Sequence, residues 1–499
     1  MRRAIKQGFW ATAIVYCGVI LGYVNRIILF PKFLTIEEMG LYSFIISNAL
    51  MLSPLIMAGF GPVLIKFFPY FNRDRTQRIN LYTFSFVIPA VSFVFWCVLL
   101  VLFSPAIENF FAEKSASYME YFHLTILLTL LIVFYSLLEI VSRIHQSIIL
   151  PNFLREFLTR FFALLMAVAV GLGLFPFQQA IYSVLIAYGL ALLILLRHVS
   201  TYFDFRLNTQ FFKIRKMWRK RILEFGGYSM LMGLSSMILL NIDQIFIAKY
   251  LGMRDNGIYT LAFYIAIIIG IPRRVIIELV APKLSLQFRD KAMNDVDRLY
   301  KMVSVDQTLI AVVLLLGIIM SVQDLFGLIP KGDELKAGFT VVVFIAFAKL
   351  IEMTFSVNAN IIAMSPLYRY NVPLIILFML LNISMNWILI PRYGIDGAAA
   401  ASLISALLFS LAKMIFVWYR LGVQPFSWQV LWIYLTGIII YLVVREIPFE
   451  EGKVLSIVLR SLLISILYFA PLYFMRVSRN MNYLIAQVLG IIYKRLGRS

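Results

Sequence analysis

Basic residues interrupt stretches of this chain that are otherwise apolar: Arg26, Lys66, Arg273, Arg274, Lys349, Lys413 and Arg460. Acids are fewer there, namely Glu139, Asp243, Glu278 and Glu352. An ionisable group in such surroundings is costly and is kept where it faces a cavity or a partner. A guanidinium offers a planar fork that matches phosphate oxygens, and an ammonium offers a point charge. Arg26, Lys66, Arg273, Arg274 and Lys413 are therefore candidates for a cationic cavity that receives a phosphate-bearing anion. Arg273 and Arg274 are adjacent, so only one of them points directly inward. The competing reading pairs Arg274 with Glu278 at i,i+4 and lets Lys66 and Lys413 reach the cytoplasmic interface.

A second group carries oxygens. Asn241, Asp243, Asn382 and Asn386 supply ligands of the kind a sodium or proton coupling site uses, and the last two share a helical face at i,i+4. Amide pairs of this type also serve as glue between membrane helices. The three histidines, His123, His145 and His198, are scattered, and no metal-ligand spacing, nucleotide loop or nucleophile elbow accompanies them. No cofactor is expected. Asp295 and Asp297 form a DxD, a pattern of metal-bound nucleotide sugars, but on a loop too short for a nucleotide-binding domain. Cys17 and Cys97 fall inside apolar runs and suggest neither a disulfide nor a zinc site.

The elements that must hold these groups follow from composition. Of 499 residues, 62% are hydrophobic and 14% charged, against about 25% charged in a soluble domain. Lipid satisfies no backbone N–H or C=O, so the long unalternating runs must be helices. With about twenty apolar residues per crossing, spans fall near 9–30, 41–68, 81–104, 119–141, 157–175, 178–196, 226–247, 257–280, 302–322, 338–358, 372–390, 398–419, 429–444 and 455–475. The expected class is an all-α membrane protein of about fourteen transmembrane helices. With both termini cytoplasmic, the inner segments hold 28 of the 45 Lys and Arg residues and the outer segments 9. That asymmetry is the positive-inside bias. It also assigns the net charge of +20 to membrane topology rather than to nucleic acid.

Between spans six and seven, Phe211, Ile214, Trp218 and Ile222 recur at helical spacing beside Lys and Arg. This reads as an amphipathic cytoplasmic linker, or as a plain topogenic basic loop. The tail from Asn480 is expected to lie on the membrane surface, because its apolar run is too short to cross.

An internal repeat organises the spans. At one offset of 217 residues, PKFLTIEEMGLY (31–42) aligns with AKYLGMRDNGIY (248–259), matching Lys32 with Lys249, Leu34 with Leu251, Gly40 with Gly257 and Tyr42 with Tyr259. The same offset carries Phe9 onto Gly226, the starts of spans one and seven. Matched spans run in the same direction, so the repeat is parallel, about an axis along the membrane normal. It also places Arg26 at the position of Asp243, which suggests an ion pair closing one side of a cavity. Snorkelling of each toward the outer headgroups is the alternative. The organisation expected is a six-helix half (1–196), the linker (197–225), a second six-helix half (226–419), two further transmembrane helices (420–475) and a basic cytoplasmic tail (476–499).

YVNRIILFPKFLTIEEMGLYSF near the start, NIDQIFIAKYLGMRDNGIYTLAF in the middle and LIPRYGIDGAAAAS at 389–402 resemble recurring segments of the bacterial polysaccharide and O-antigen flippases of the multidrug, oligosaccharidyl-lipid and polysaccharide exporter superfamily. The resemblance implies a V-shaped fold of two six-helix bundles plus two helices in the bacterial inner membrane. It implies alternating access for a polyprenyl-diphosphate-linked glycan, with polysaccharide-assembly proteins as partners. An inside-negative potential would drive such an anion outward by about 2.3 kcal/mol per charge per 100 mV, without ATP. A cation-coupled exporter of small drugs and a membrane enzyme acting on lipid-linked glycans are the alternatives.

Overall fold

A computed structural model describes residues 14–72, 74–201, 216–448 and 452–496. Their regular secondary structure is helical, with no strand among the described residues. Twelve of the described helices are long and apolar enough to cross a membrane. Two compact units result, Met1–Thr260 and Leu261–Ser499.

The first unit opens with α1 (Ile14–Phe33), whose segment Val24–Leu29 is a π-turn. Helix α2 (Ile36–Met57) starts at a capping box: Glu38 N–H donates to Thr35 Oγ1 at 3.2 Å, and Thr35 N–H donates to Glu38 Oε2 at 2.7 Å. The expected second span, 41–68, is two helices. Ala58 (φ 48°) and Gly59 (φ 73°) end α2 in left-handed backbone, and α3 (Phe60–Phe71) begins after them. Only glycine suits Gly59 fully, because a Cβ there would stand 1.9 Å from the Gly226 carbonyl oxygen. Helices α4 (Arg75–Leu102) and α5 (Phe122–Ile144) follow. The next stretch, 149–171, is helical throughout but interrupted by a π-turn at Leu154–Leu158, and α6 (Phe177–Ser200) comes after it.

The core of this unit is aliphatic and aromatic. Phe60, Val63, Leu64 and Phe67 pack with Leu81, Tyr82, Val133 and Leu137. A separate ring cluster joins Phe44, Phe111 and Tyr118. Burial pushes the Tyr118 phenol up to about 12, and its oxygen is held by Asn48 and Thr125.

Residues 202–215, including Phe211 and Ile214, lie outside the described residues. Trp218 and Ile222 do not form a separate surface helix. They open α7, Lys216–Tyr250, a single helix of 35 residues, whose length of about 52 Å exceeds the hydrocarbon core by about 20 Å. The amphipathic face packs on protein: Trp218 meets the rings of Phe67 and Phe71, and Ile222 is fully buried.

Helix α8 (Met253–Ile267) crosses α2 at the two repeat glycines. A Cβ on Gly40 would stand 1.9 Å from the Met253 carbonyl oxygen, and one on Gly257 would stand 2.2 Å from that of Ile36. The contact is reciprocal, since 36 and 40 meet 257 and 253 at the offset of 217. Asn256 Nδ2 donates to the Gly40 carbonyl at 3.0 Å and fastens the crossing.

The second unit holds α9 (Ile271–Arg289), α10 (Met293–Phe326), α11 (Phe339–Thr354) and a very long α12 (Asn371–Leu421). Its 51 residues would extend about 77 Å, far more than one crossing. Gly394, at φ 61° and ψ −141°, breaks the helix between two apolar stretches. Helices α13 (Trp428–Arg445) and α14 (Lys453–Phe474) follow. Arg460 of α14 is fixed to α10 by Asp324 at 2.8 Å and by the Met320 carbonyl, and Tyr468 donates to the Leu309 carbonyl at 3.1 Å. The tail forms α15 (Arg479–Leu496), tied to α10 where Ser478 and Asn480 each donate to Asp306 at 2.6 Å.

Candidate functional site

Three helices of the second unit bring charge together. Arg273 lies near the start of α9, Lys349 and Glu352 lie one turn apart on α11, and Lys413 lies late in α12. Glu352 is the hub. Its Oε1 accepts from Lys349 Nζ at 2.9 Å, and its Oε2 lies 3.6 Å from Arg273 Nη1. Lys413 is buried to 8% exposure, within electrostatic reach of Arg273 and Glu352. Its ammonium sits 3.9 Å over the ring of Phe409, which stacks on Phe378 at 4.0 Å. Among the described residues the group comprises three basic side chains and one carboxylate, a formal charge of +2 when every group is ionised. The buried Nε–H of Arg273 has no partner among the described residues. A buried donor without an acceptor is expensive, so the site is suited to an incoming anion.

Arg273 and Lys413 are thus brought together, whereas the side chains of Arg274 and Glu278 lie outside the described residues. Lys66 has other surroundings in the first unit. It lies 3.7 Å over the Phe225 ring, in a groove of ≈ 470 Å³ lined also by Tyr70, Trp218 and Arg221. Arg26, in the π-turn, donates to Ser43 Oγ at 3.2 Å, and buried Asp243 accepts from Tyr259 at 2.6 Å. Asn241 Nδ2 donates within its own helix to the Met237 carbonyl, and Asn386 Nδ2 donates to the backbone oxygen and Oδ1 of Asn382, at 3.0 and 3.2 Å.

Lys349 and Glu352 stand out in the sequence as intramembrane charges, with nothing there to assign them to the cavity. Their i,i+3 spacing was the available signal. Of a second network, the sequence marks Glu139 as an intramembrane acid but not its partners. In the first unit, buried Glu139 is bound by Arg143 at 2.5 Å and Arg155 at 3.0 Å, and Glu156 by Arg155 at 3.3 Å and Arg160 at 2.8 Å. Here two acids answer three bases, a closer balance than in the second unit.

Other chemistry is accounted for locally. Asp297 accepts from Lys301 at 2.6 Å and from the Gln424 backbone at 3.3 Å, so half of the DxD ties down the turn after α12. The histidines bond separately, His123 to Tyr182, His145 to Tyr82 and His198 to Ser147. Among the described residues no three His, Cys, Asp or Glu side chains gather as a metal site.

Similarity to solved structures concerns the fold. The lipid II flippase MurJ in an inward closed conformation superposes with a TM-score of 0.74 at 13% identity, covering 93% of this chain and 99% of that one. An inward-facing multidrug resistance MATE family transporter of the MOP superfamily gives 0.64 at 15%, covering 84% and 98%. VcmN, a MATE transporter of Vibrio cholerae, gives 0.55 at 12%, covering 85% and 98%. No curated protein matches the sequence. The model of a family described as polysaccharide biosynthesis protein matches residues 4–281, more than half of the chain. The cation-rich helical membrane fold described above is therefore that of a member of the polysaccharide biosynthesis protein family.

Proposed function

We propose that this protein is a flippase that carries a polyprenyl-diphosphate-linked oligosaccharide, an O-antigen or another surface polysaccharide unit, from the cytoplasmic to the outer leaflet of a bacterial inner membrane. The observation that carries this reading is the Arg273–Lys349–Lys413 cluster, in which Glu352 is the one acid among the described residues. A lipid diphosphate does not pass hydrocarbon with its charge uncompensated, so a carrier must supply basic groups at membrane depth. A site for cationic drugs would need the opposite balance.

In this reading the chain crosses the membrane fourteen times. Twelve long apolar helices supply most crossings; the break at Gly394 makes two of α12, and 149–171 is a further one despite its π-turn. The reciprocal contact of α2 and α8 at Gly40 and Gly257 supports a pseudo-two-fold relation between six-helix halves. Alternating access would then proceed by rocking of these halves. Arg26, Arg274 and Lys66 remain candidates for further substrate contacts, and Arg26 with Asp243 for a gate. A sodium or proton bound near Asn241, Asp243, Asn382 and Asn386 is the proposed form of coupling beyond the membrane potential.

Depletion in cells tests the reading. Lipid-linked glycan should accumulate on the inner leaflet while its synthesis continues. An unchanged leaflet distribution would contradict the proposal, and loss of synthesis would point to an enzyme.

A further inference from the structure

The one carboxylate of the cluster among the described residues engages two of the cations that a diphosphate needs. Glu352 takes Lys349 through Oε1 and faces Arg273 through Oε2, at 2.9 and 3.6 Å. Lys413, the remaining cation, has no carboxylate within 4.0 Å among the described residues and rests on Phe409. Access is graded in the same way: the side chains of Glu352 and Arg273 are 32% and 30% exposed, against 13% for Lys349. Glu352 and Arg273 are thus the more accessible members of this ion-paired group.

Resting on the flippase reading, we propose that Glu352 is a resident competitor for the diphosphate, a specificity and release residue that hands its cations to the substrate and takes them back. In the empty site it keeps Arg273 and Lys349 from standing uncompensated at membrane depth. In the loaded site the charges balance: a diphosphate diester brings two negative charges to a cluster of formal charge +2. The occupied site is then neutral, and Glu352 repels the ligand at short range while the cations attract it. A cluster without the carboxylate would carry +3 and hold the diphosphate too firmly for turnover, since binding strengthened equally in resting and moving states does not speed a step. The same balance discriminates between ligands, because a monophosphate diester, with one charge, leaves the site positive.

The test measures binding and release separately, using the full-length protein in lipid nanodiscs and a short-chain prenyl-diphosphate-linked N-acetylglucosamine as probe. Glu352→Gln keeps size, removes the negative charge and turns one of the two acceptor oxygens, which face Lys349 and Arg273, into a donor amide. Its Kd for the probe is expected to fall by about tenfold, mostly through a slower off-rate, while glycan export in cells declines. Glu352→Asp, which keeps the charge, should restore the wild-type off-rate in large part. A purely structural role for Glu352 would move affinity and export down together. Binding by Glu352→Gln that equals or falls below wild type, with wild type binding normally, would overturn this inference and leave the flippase reading standing. Failure of the wild-type protein to bind the probe would instead overturn the reading on which it rests.

Discussion

Arg273→Glu should reduce glycan export by more than about 100-fold, equivalent to about 2.7 kcal/mol of lost stabilisation in the moving complex. The substitution does two things at once. It removes the guanidinium whose Nε–H has no partner among the described residues and whose Nη1 faces Glu352, and it sets a second carboxylate beside the first. The formal charge of the cluster falls from +2 to zero, so a diphosphate finds no excess charge to enter against. Arg273→Lys separates charge from geometry. An ammonium restores the sign but not the planar fork, and export should recover to within about tenfold of wild type. Surface glycan, measured at equal amounts of protein in the membrane fraction, reads both variants. Full export by Arg273→Glu would remove the cluster from the transport path.

The second large effect concerns the crossing of α2 and α8. Gly40→Val would place a Cβ 1.9 Å from the Met253 carbonyl oxygen and 2.8 Å from the Gly257 nitrogen. Both neighbours are backbone, so no side chain can turn aside and the helices must separate. Overpacking of this kind costs about 1–3 kcal/mol, more where backbone must move. Export should fall at least tenfold, with a lowered midpoint of thermal unfolding in detergent. Gly189→Ala is the control. Gly189 lies in α6 with nothing within 4 Å of its Cβ position, and alanine in a helix interior should be neutral or slightly stabilising. Equal losses in the two variants would mean that glycine loss in general, and not this crossing, is responsible.

Which features the sequence discloses depends on whether they are set by local composition or by tertiary geometry. Apolar run length and the Lys/Arg asymmetry are one-dimensional quantities, and they locate most long helices. The 217-residue offset aligns Gly40 with Gly257, and the structure then sets these two residues against each other. Backbone breaks are less legible. Ala58 and Gly59 divide an apolar run that hydropathy reads as continuous, and the π-turns at Val24–Leu29 and Leu154–Leu158 leave no compositional trace. Trp218 and Ile222 have the periodicity of a surface helix, but their partner face on α3 is distant in sequence. The same holds for the site. Arg273 and Lys413 are conspicuous as isolated charges, whereas the position of Glu352 between Lys349 and Arg273 depends on how α9 and α11 pack. Arg155 and Arg160 straddle the start of the fifth apolar run near 157, so composition alone does not set them together inside a span.

Reconstitution tests the central claim most directly. Purified protein in proteoliposomes, loaded with a fluorescent polyprenyl-diphosphate-linked glycan in both leaflets, is treated with a membrane-impermeant quencher. The account predicts that fluorescence decays toward complete loss without ATP when wild-type protein is present, and stops near one half with Arg273→Glu or with no protein. A plateau near one half with wild-type protein that is folded and correctly inserted would contradict it.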